Sequence, residues 1–247
     1  DAQESRGRGD VYKRQLLKSD DSPVTIADKK ADKVISEGLK KYFPEIPVIT
    51  EEQVKSHNLN AAVFFIVDPL DGTKEFIKRR GDFTVNIALV DNGTPKLGVV
   101  YAPAINRLFY TLKTDVAVEE LAPFKDTTIG RLIPLHVSKP NNNALIVISS
   151  KSHQNQATDQ YISNYKIRSS KNSGSSLKFC LLATGEADFY PRLGRTMEWD
   201  TAAGDAILRA AGGKVVTLES HAPLKYGKVG YENPFFIAFA NGVKLKK

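Results

Sequence analysis

The spacing of apolar residues in the first half of the chain predicts one helix followed by an antiparallel sheet. A helix is expected before Pro44, where apolar side chains recur every three or four positions: Ala27, Ala31, Val34, Ile35, Leu39 and Tyr42. Strands are expected over residues 63–67, 82–90, 97–101 and 108–112. Asp68-Pro69 is expected to end the first strand, and Asp91-Asn92-Gly93-Thr94 is typical of a hairpin turn. Residues 16–137 are therefore predicted to form an α+β half.

The second half of the chain has a different pattern, in which short strands alternate with helices. Strands are expected over residues 145–148, 165–169, 187–190, 215–218 and 235–239, and helices over residues 153–162, 175–183 and 202–211. Gly212-Gly213 is expected to cap the last helix. Because this alternation is typical of parallel sheets, residues 138–247 are predicted to form a mostly parallel α/β half that shares an interface with the first. The predicted fold class is α/β.

Composition excludes several classes of protein. The chain of 247 residues contains one cysteine and four histidines, which argues against a disulfide framework, a thiolate zinc site and a multi-histidine metal centre. No apolar run approaches the roughly 20 residues that a membrane-spanning helix needs. The formal net charge of +7 raises the question of a polyanionic partner. A basic nucleic-acid-binding module without catalysis is one alternative that this charge leaves open.

Residues 1–15 show neither helical nor strand periodicity and no signal-peptide core. The segment from Asp10 to Gln15 looks like a translated sequencing-library adapter, so we interpret residues 1–15 as a non-native start, the alternative being a disordered native tail. These residues contribute only one net positive charge, and the basic excess is therefore a property of the remaining chain.

The densest chemical signal is Asp68-Pro69-Leu70-Asp71-Gly72-Thr73, at the end of the predicted strand over residues 63–67. Proline fixes the backbone between the two carboxylates, and glycine allows a sharp turn after them. Two carboxylates and the Leu70 carbonyl can then point at one place, and such hard oxygen ligands suit Mg²⁺ or Mn²⁺. The alternative is a simple turn with two solvated aspartates.

Other acidic residues are candidates for the same cluster. Glu51 precedes the strand, Asp200 stands where it could cap a helix, and Asp28 lies in the first turn of the first helix, where a carboxylate suits the helix dipole. Taken singly, each of these residues is more typical of a structural role.

Taken together, these segments resemble the inositol monophosphatase family of metal-dependent, lithium-sensitive phosphatases, and within it the bacterial 3′(2′),5′-bisphosphate nucleotidases. The resemblance runs from about residue 19 to residue 240, and it is carried by residues 21–25, 50–52, 68–78, 83–89, 98–103, 174–180, 190–192 and 199–204. It implies a layered αβαβα sugar-phosphatase fold. Lys74-Glu75-Phe76 stands where inositol monophosphatases usually have Thr-Asn-Phe, which favours the nucleotidase branch.

The resemblance also implies a role for each matching residue. One Mg²⁺ would be bound by Glu51, Asp68 and the Leu70 carbonyl, and a second by Asp68, Asp71 and Asp200. A third, weaker ion would lie near Glu51, with Mn²⁺ as a possible substitute metal. Thr73, oriented by Asp28, would activate the attacking water. The substrate would be bound by Lys74, Ser150, His153, Gly174, Ser175, Lys178 and Arg192, and the amides of residues 174–176 would hold a phosphate at a helix start.

The expected activity is therefore removal of the 3′-phosphate from adenosine 3′,5′-bisphosphate, and in addition from its sulfated form. An inositol or sugar monophosphatase with the same metals is the nearest alternative. The expected partner is a small bisphosphate nucleotide and not a stable nucleic-acid complex. The resemblance fits a monomer and a homodimer equally. It also fits a location in the cytoplasm or a peripheral position at the inner membrane face.

Two departures from the family pattern stand out. Only unmatched residues precede Leu16, where the family has a further helix. If the chain is a fragment that lacks this helix, an apolar face is expected to be exposed and activity would be in doubt. The stretch over residues 112–118 lacks the glycine-rich turn that is usual there.

Overall fold

A computed structural model describes residues 15–17, 23–59, 61–150 and 155–246, with backbone alone for residues 15–17 and 23–24. The interpretation of residues 1–15 lies outside the described residues except for Gln15, as does the role expected of His153. The strands are β1 Gln15–Leu17, β2 Pro23–Thr25, β3 Val48–Thr50, β4 Val63–Asp71, β5 Thr84–Asp91, β6 Thr94–Ala102, β7 Arg107–Lys113, β8 Val116–Leu121, β9 Leu132–Pro134, β10 Leu145–Ser150, β11 Ile167–Ser173, β12 Phe189–Arg192, β13 Gly213–Thr217 and β14 Phe236–Ala240. The helices are α1 Ile26–Tyr42, α2 Thr73–Ile77, α3 Gln156–Ser163, α4 Leu177–Ala183 and α5 Ala202–Ala210.

A sheet of seven strands forms from the first half of the chain, in the order β3-β4-β5-β6-β7-β8-β9. Only the β3–β4 pair is parallel, so the predicted antiparallel sheet is confirmed. Sequence reasoning did not find β3, β8 or β9. Residues 114–115 form a tight turn between β7 and β8, and this turn stands where a glycine-rich one was expected.

The second sheet has the order β11-β10-β12-β14-β13. Strand β10 is parallel to β11 and β12, whereas β14 runs antiparallel to both β12 and β13. The prediction of a mostly parallel half is therefore wrong for β14. Helix α5 makes the crossover between β12 and β13, but no α-helix connects β13 to β14, and a parallel return needs such a crossover. The last strand instead inserts between two strands formed earlier in the chain.

The sheets and helices stack in five layers, which confirms the predicted αβαβα arrangement. Helix α1 covers one face of the seven-stranded sheet, where its Ile35 and Leu39 lie against Phe65 and Val67. Helices α4 and α5 fill the space between the two sheets, and α3 packs on the outer face of the second through Tyr161. None of the helices in the described part of the chain is long and apolar enough to cross a bilayer.

Helix α1 has an unusual inner face. Its predicted helical span is confirmed, but its three most buried residues are polar: Asp28, Asp32 and Ser36, which recur every four positions. Two of the apolar residues that define its period, Val34 and Tyr42, are each 71% exposed. The helix therefore turns a polar stripe towards the ends of β3 and β4, where the candidate site lies.

The contact between α5 and β6 requires a glycine at position 98, because a Cβ there would lie 2.4 Å from the Ala203 carbonyl oxygen. We expect Gly98→Ala to lower the free energy of unfolding by about 2–3 kcal/mol, since a packed backbone atom cannot move aside easily. Gly38 in α1 has open space around it, so Gly38→Ala should raise stability by about 0.5–1 kcal/mol. Urea unfolding of both variants measures the difference, and equal effects would contradict this account of the contact.

Candidate active site

The end of β4 carries the two aspartates of the main motif. The strand does not stop at Asp68-Pro69 as predicted but continues to Asp71, with an irregular register between Asp68 and Asp71. Pro69 is tolerated at such an irregularity because the ladder is already interrupted there. The Leu70 amide donates to Asp68 Oδ1 at 3.0 Å, and this local bond orients the first carboxylate.

Asp71 is held by partners that are distant in sequence. Its Oδ2 accepts a hydrogen bond from the Ser176 amide at 2.7 Å and from Asn86 Nδ2 at 3.3 Å. The Ser175 hydroxyl donates to the Asp71 carbonyl at 2.8 Å. The start of α4 therefore fixes both the backbone and the carboxylate of Asp71.

Asp200 reaches the same region from the 3₁₀ helix Glu198–Asp200. Its Oδ2 accepts from the Met197 amide at 2.8 Å, and its carbonyl accepts from the Ser176 hydroxyl at 2.6 Å. Thr201, not Asp200, precedes α5 as its cap residue, so the side chain of Asp200 faces the site and not the helix start. Glu51 follows β3, with its amide bonded to the Val67 carbonyl at 3.1 Å.

The four carboxylates repel one another at a place where Asp68 is buried and the other three residues are partly exposed. Burial raises the pKa of Asp68 well above its usual range, and the charges of Glu51, Asp71 and Asp200 raise it further, as does a hydrogen bond with Glu51. Burial, Asp71 and Glu51 likewise raise the pKa of Asp200. Burial also raises the pKa of Asp71, although Lys178 opposes that shift. Such crowding of acids is what a bound cation would relieve.

The described residues contain no group of three or more His, Cys, Asp or Glu side chains that already has the arrangement of a metal site. The chemistry of the donors nevertheless fits a hard cation, because the cluster offers only oxygen ligands. A buried acceptor, Asn86 Oδ1, also lacks a hydrogen-bond partner among the described residues, next to the Asp71 carboxylate. The residues present therefore fit Mg²⁺.

Thr73 and Asp28 form the predicted pair. The Thr73 hydroxyl donates to Asp28 Oδ1 at 3.2 Å, and it also lies 3.3 Å from the Leu70 carbonyl oxygen. The other oxygen of Asp28 accepts from the amide and hydroxyl of Thr25, which closes a capping box at the start of α1. The helix cap thus fixes the carboxylate that orients Thr73.

One cleft of about 270 Å³ collects nearly all of the predicted site residues. Those that line it are Glu51, Asp68, Leu70, Asp71, Thr73, Lys74, Ser150, Gly174, Ser175, Lys178, Arg192 and Asp200. Asp28 lies behind Thr73, and His153 lies outside the described residues. The cleft is also lined by residues that sequence reasoning did not assign to the site, among them Glu75, Tyr190, Arg195 and Thr196.

Two buried cations line the same cleft as the carboxylates. Lys178 Nζ donates to the Ser175 carbonyl at 2.7 Å and stands 5.3 Å from the centre of the Tyr190 ring. Burial lowers the pKa of Lys178 to about 8, although Asp71 opposes that shift. Arg192 donates to the Arg195 carbonyl through Nη2, while its buried Nε has no hydrogen-bond partner within the described ranges. A donor of this kind can receive an anionic oxygen.

The start of α4 differs from the phosphate cradle that the sequence suggested. The Gly174 amide donates to Asp82 Oδ2 at 3.0 Å, and the Ser176 amide to Asp71. Ser175 has a positive φ of 50°, and its hydroxyl bridges the carbonyls of Asp71 and Asp82. In this structure these groups hold neighbouring segments in place. The predicted substrate contacts of Gly174 and Ser175 stay predictions.

Comparisons with known proteins agree with this geometry. Residues 3–237 match the model of the inositol monophosphatase family. The 3′(2′),5′-bisphosphate nucleotidase CysQ of Shigella flexneri is 43% identical over 227 residues, which cover 90% of this chain and 87% of that protein. The crystal structure of CysQ from Bacteroides thetaiotaomicron superposes with a TM-score of 0.78 at 37% identity, covering 94% of this chain and 90% of the other. An inositol monophosphatase from Anabaena superposes with a TM-score of 0.70 at 26% identity, covering 86% and 81%.

Proposed function

Because this chain belongs to the inositol monophosphatase family, we propose that it is a Mg²⁺-dependent phosphatase that removes the 3′-phosphate of adenosine 3′,5′-bisphosphate. The products are AMP and inorganic phosphate. One observation supports this proposal above all others: a cluster of four carboxylates, of which Asp68 is buried, and two buried cations line a single cleft. A relative that bears the bisphosphate nucleotidase name is similar to this chain over most of its length.

Five oxygen donors would hold the metal ions: the carboxylates of Glu51, Asp68, Asp71 and Asp200 and the carbonyl of Leu70. Bound Mg²⁺ would neutralise charge on the phosphate and lower the pKa of a water, which are its usual contributions to phosphate-ester hydrolysis. Backbone amides orient three of these carboxylates, because they donate hydrogen bonds to Asp68, Asp71 and Asp200.

Thr73 and Asp28 would orient the attacking water. A threonine hydroxyl that donates to a buried carboxylate keeps its lone pairs turned towards the cleft, where they can accept a proton of the water. This arrangement is general-base positioning through a hydroxyl, and it depends on the fixed rotamer of Asp28.

Lys178 and Arg192 would bind the second phosphate of the nucleotide. Both side chains are at least nine-tenths buried and both line the cleft, so each carries a charge that a phosphate would satisfy. Arg192 still has an unpaired Nε to offer. A ligand with two phosphates would then contact the cations with one and the carboxylate cluster, through the metal, with the other.

We expect the KM for the bisphosphate to rise by about tenfold between pH 7 and pH 9.5, because Lys178 has a pKa of about 8 and loses its charge over that range. Lys178→Arg should flatten the profile, since an arginine stays protonated throughout. Initial rates measured at saturating Mg²⁺ across this range check the expectation. Identical profiles for both proteins would contradict it.

A substrate panel tests the proposed function itself. Phosphate release is measured for adenosine 3′,5′-bisphosphate, its sulfated form, inositol 1-phosphate and AMP, each with and without Mg²⁺ and with added Li⁺. We expect the bisphosphate to be hydrolysed fastest, only with Mg²⁺, and AMP to be left intact. Faster hydrolysis of inositol 1-phosphate would instead favour a monophosphatase, and no Mg²⁺-dependent release from any substrate would overturn the proposal.

A further inference from the structure

We infer that Asp32 is a positioning residue that fixes the turn carrying Glu51. The two oxygens of its carboxylate hold the two ends of that turn: Oδ1 accepts from the Thr50 hydroxyl, and Oδ2 accepts from Gln53 Nε2 at 2.8 Å. The turn itself is closed by a bond from the Gln53 amide to the Thr50 carbonyl. The inference rests on the proposed role of Glu51 as a Mg²⁺ ligand.

The turn needs such support because Glu51 and Glu52 belong to no helix or strand. Glu51 is the only one of the four candidate carboxylates whose backbone has left its strand without entering a helix. Its amide is bonded to Val67, and its side chain has a hydrogen bond with Asp68. The Asp32 carboxylate on α1 adds a hydrogen bond to each of the flanking residues, Thr50 and Gln53.

Asp32 is suited to this task by its position and burial. It is 6% exposed and lies one helical turn after Asp28, the residue that orients Thr73. The same inner stripe of α1 therefore contacts both the Thr73 side and the Glu51 side of the site. Ser36 continues the stripe and accepts a second hydrogen bond from Gln53 Nε2 at 3.1 Å.

The opposite side of the turn is held as well. The Thr50 carbonyl lies 2.8 Å from His57 Nε2, and the Thr50 amide donates to the Ser56 hydroxyl at 3.1 Å. The His57 ring stacks on Trp199 with ring centres 4.9 Å apart. Because Trp199 directly precedes Asp200, the Glu51 turn is braced between α1 and the segment that carries Asp200.

Replacing Asp32 with alanine removes both bonds, and residues that orient metal ligands typically contribute 10–100-fold to metal affinity. We therefore expect Asp32→Ala to raise the Mg²⁺ dissociation constant at least tenfold, as measured by isothermal titration calorimetry without substrate. Asp32→Asn should stay within about threefold of the wild type, because asparagine can accept from Thr50 while a rotated Gln53 amide accepts from it. The conservative variant thus separates positioning from the negative charge of Asp32.

Asp188 provides a matched control in the second sheet. It is buried to a similar degree, and its carboxylate bridges two segments by accepting from the Ser138 hydroxyl and the Ile146 amide. Asp188→Ala should lower thermal stability without changing Mg²⁺ affinity. If Asp32→Ala does not fold, Gln53→Met offers a second test, because it removes one of the two hydrogen bonds to Asp32. It should raise the Mg²⁺ dissociation constant several-fold.

The outcomes distinguish this inference from the proposed function. If Glu51→Gln weakens Mg²⁺ binding but Asp32→Ala and Gln53→Met do not, the positioning role is wrong. Equal losses in Asp32→Asn and Asp32→Ala would also overturn it, since charge alone would then explain the effect. If Glu51→Gln itself leaves Mg²⁺ binding unchanged, the ligand assignment under the proposed function is wrong. Tight Mg²⁺ binding without hydrolysis overturns only the activity.

Discussion

Asp71→Asn is expected to lower the turnover number on the bisphosphate by about 10³-fold while the protein keeps its fold. An ion that contributes several kcal/mol of charge stabilisation in the transition state corresponds to a rate factor of this order. Asparagine has nearly the same shape, and its oxygen can still accept from the Ser176 amide that now holds Asp71. The loss should therefore be one of chemistry and not of structure.

Steady-state kinetics, with circular dichroism as the check on folding, measure this effect. Asp91→Asn is a fair control, because Asp91 ends β5 at the hairpin turn, outside the site, and its carboxylate accepts a hydrogen bond from the neighbouring Asn92 side chain. It should keep the wild-type rate. A turnover number for Asp71→Asn within a few-fold of the wild type would remove Asp71 from the ligand set.

The second large effect is the change in the free energy of unfolding when Asp68 is replaced, and its sign depends on whether Mg²⁺ is bound. Because the folded state raises the pKa of Asp68, ionisation of this group opposes folding, and the metal-free protein should lose stability as the pH rises above the ordinary aspartate pKa. Asp68→Asn removes the cost of ionising this group in the folded state, and it should stabilise the metal-free protein at neutral pH by about 1–2 kcal/mol. The wild type should gain about 4 kcal/mol from Mg²⁺ at a thousand times its dissociation constant. The variant should gain little.

Thermal unfolding with and without Mg²⁺ measures both effects: the higher stability of the metal-free variant, and its smaller stabilisation by Mg²⁺. Asp205 offers the contrast, because it is equally buried and burial raises its pKa too, but Arg209 and Tyr226 oppose that rise, whereas the charges around Asp68 add to it. Asp205→Asn removes the charge that pairs with the partly buried Arg209 guanidinium and should destabilise the protein with or without Mg²⁺. If Asp68→Asn destabilised the metal-free protein in the same way, repulsion among the crowded carboxylates would not oppose folding, and the interpretation of their raised pKa values would be wrong.

The parts of the site that could be predicted from the sequence depend on local signals. Asp68 and Asp71 follow an apolar run and stand beside proline and glycine, and they lie at a strand end as expected. Asp32 gave no such signal, because a polar residue on a helix between lysines is typical of a solvated face. Its burial follows from where α1 lies across β3 and β4, which no local pattern encodes.

The same reasoning explains why local patterns missed the contacts at the start of α4 and the strand order of the second sheet. Gly174 and Ser175 look like a phosphate cradle locally, yet their partners Asp71 and Asp82 lie about a hundred residues earlier in the chain. The strand pattern identified β14 but not its place, because strand order depends on how the chain returns. The alternation of strands and helices predicted a parallel sheet, but β14 is antiparallel because no α-helix connects it to β13.

The central position of β14 has a consequence for synthesis of the protein on the ribosome. Residues Phe236–Ala240 are synthesised after both β12 and β13, yet they separate these two strands in the finished sheet. Until they emerge, both neighbours present open hydrogen-bonding edges, which are prone to pairing with other chains. A nascent chain stalled before Phe236 therefore carries most of the residues of the site but an unclosed sheet, and we expect it to depend on chaperones or be degraded.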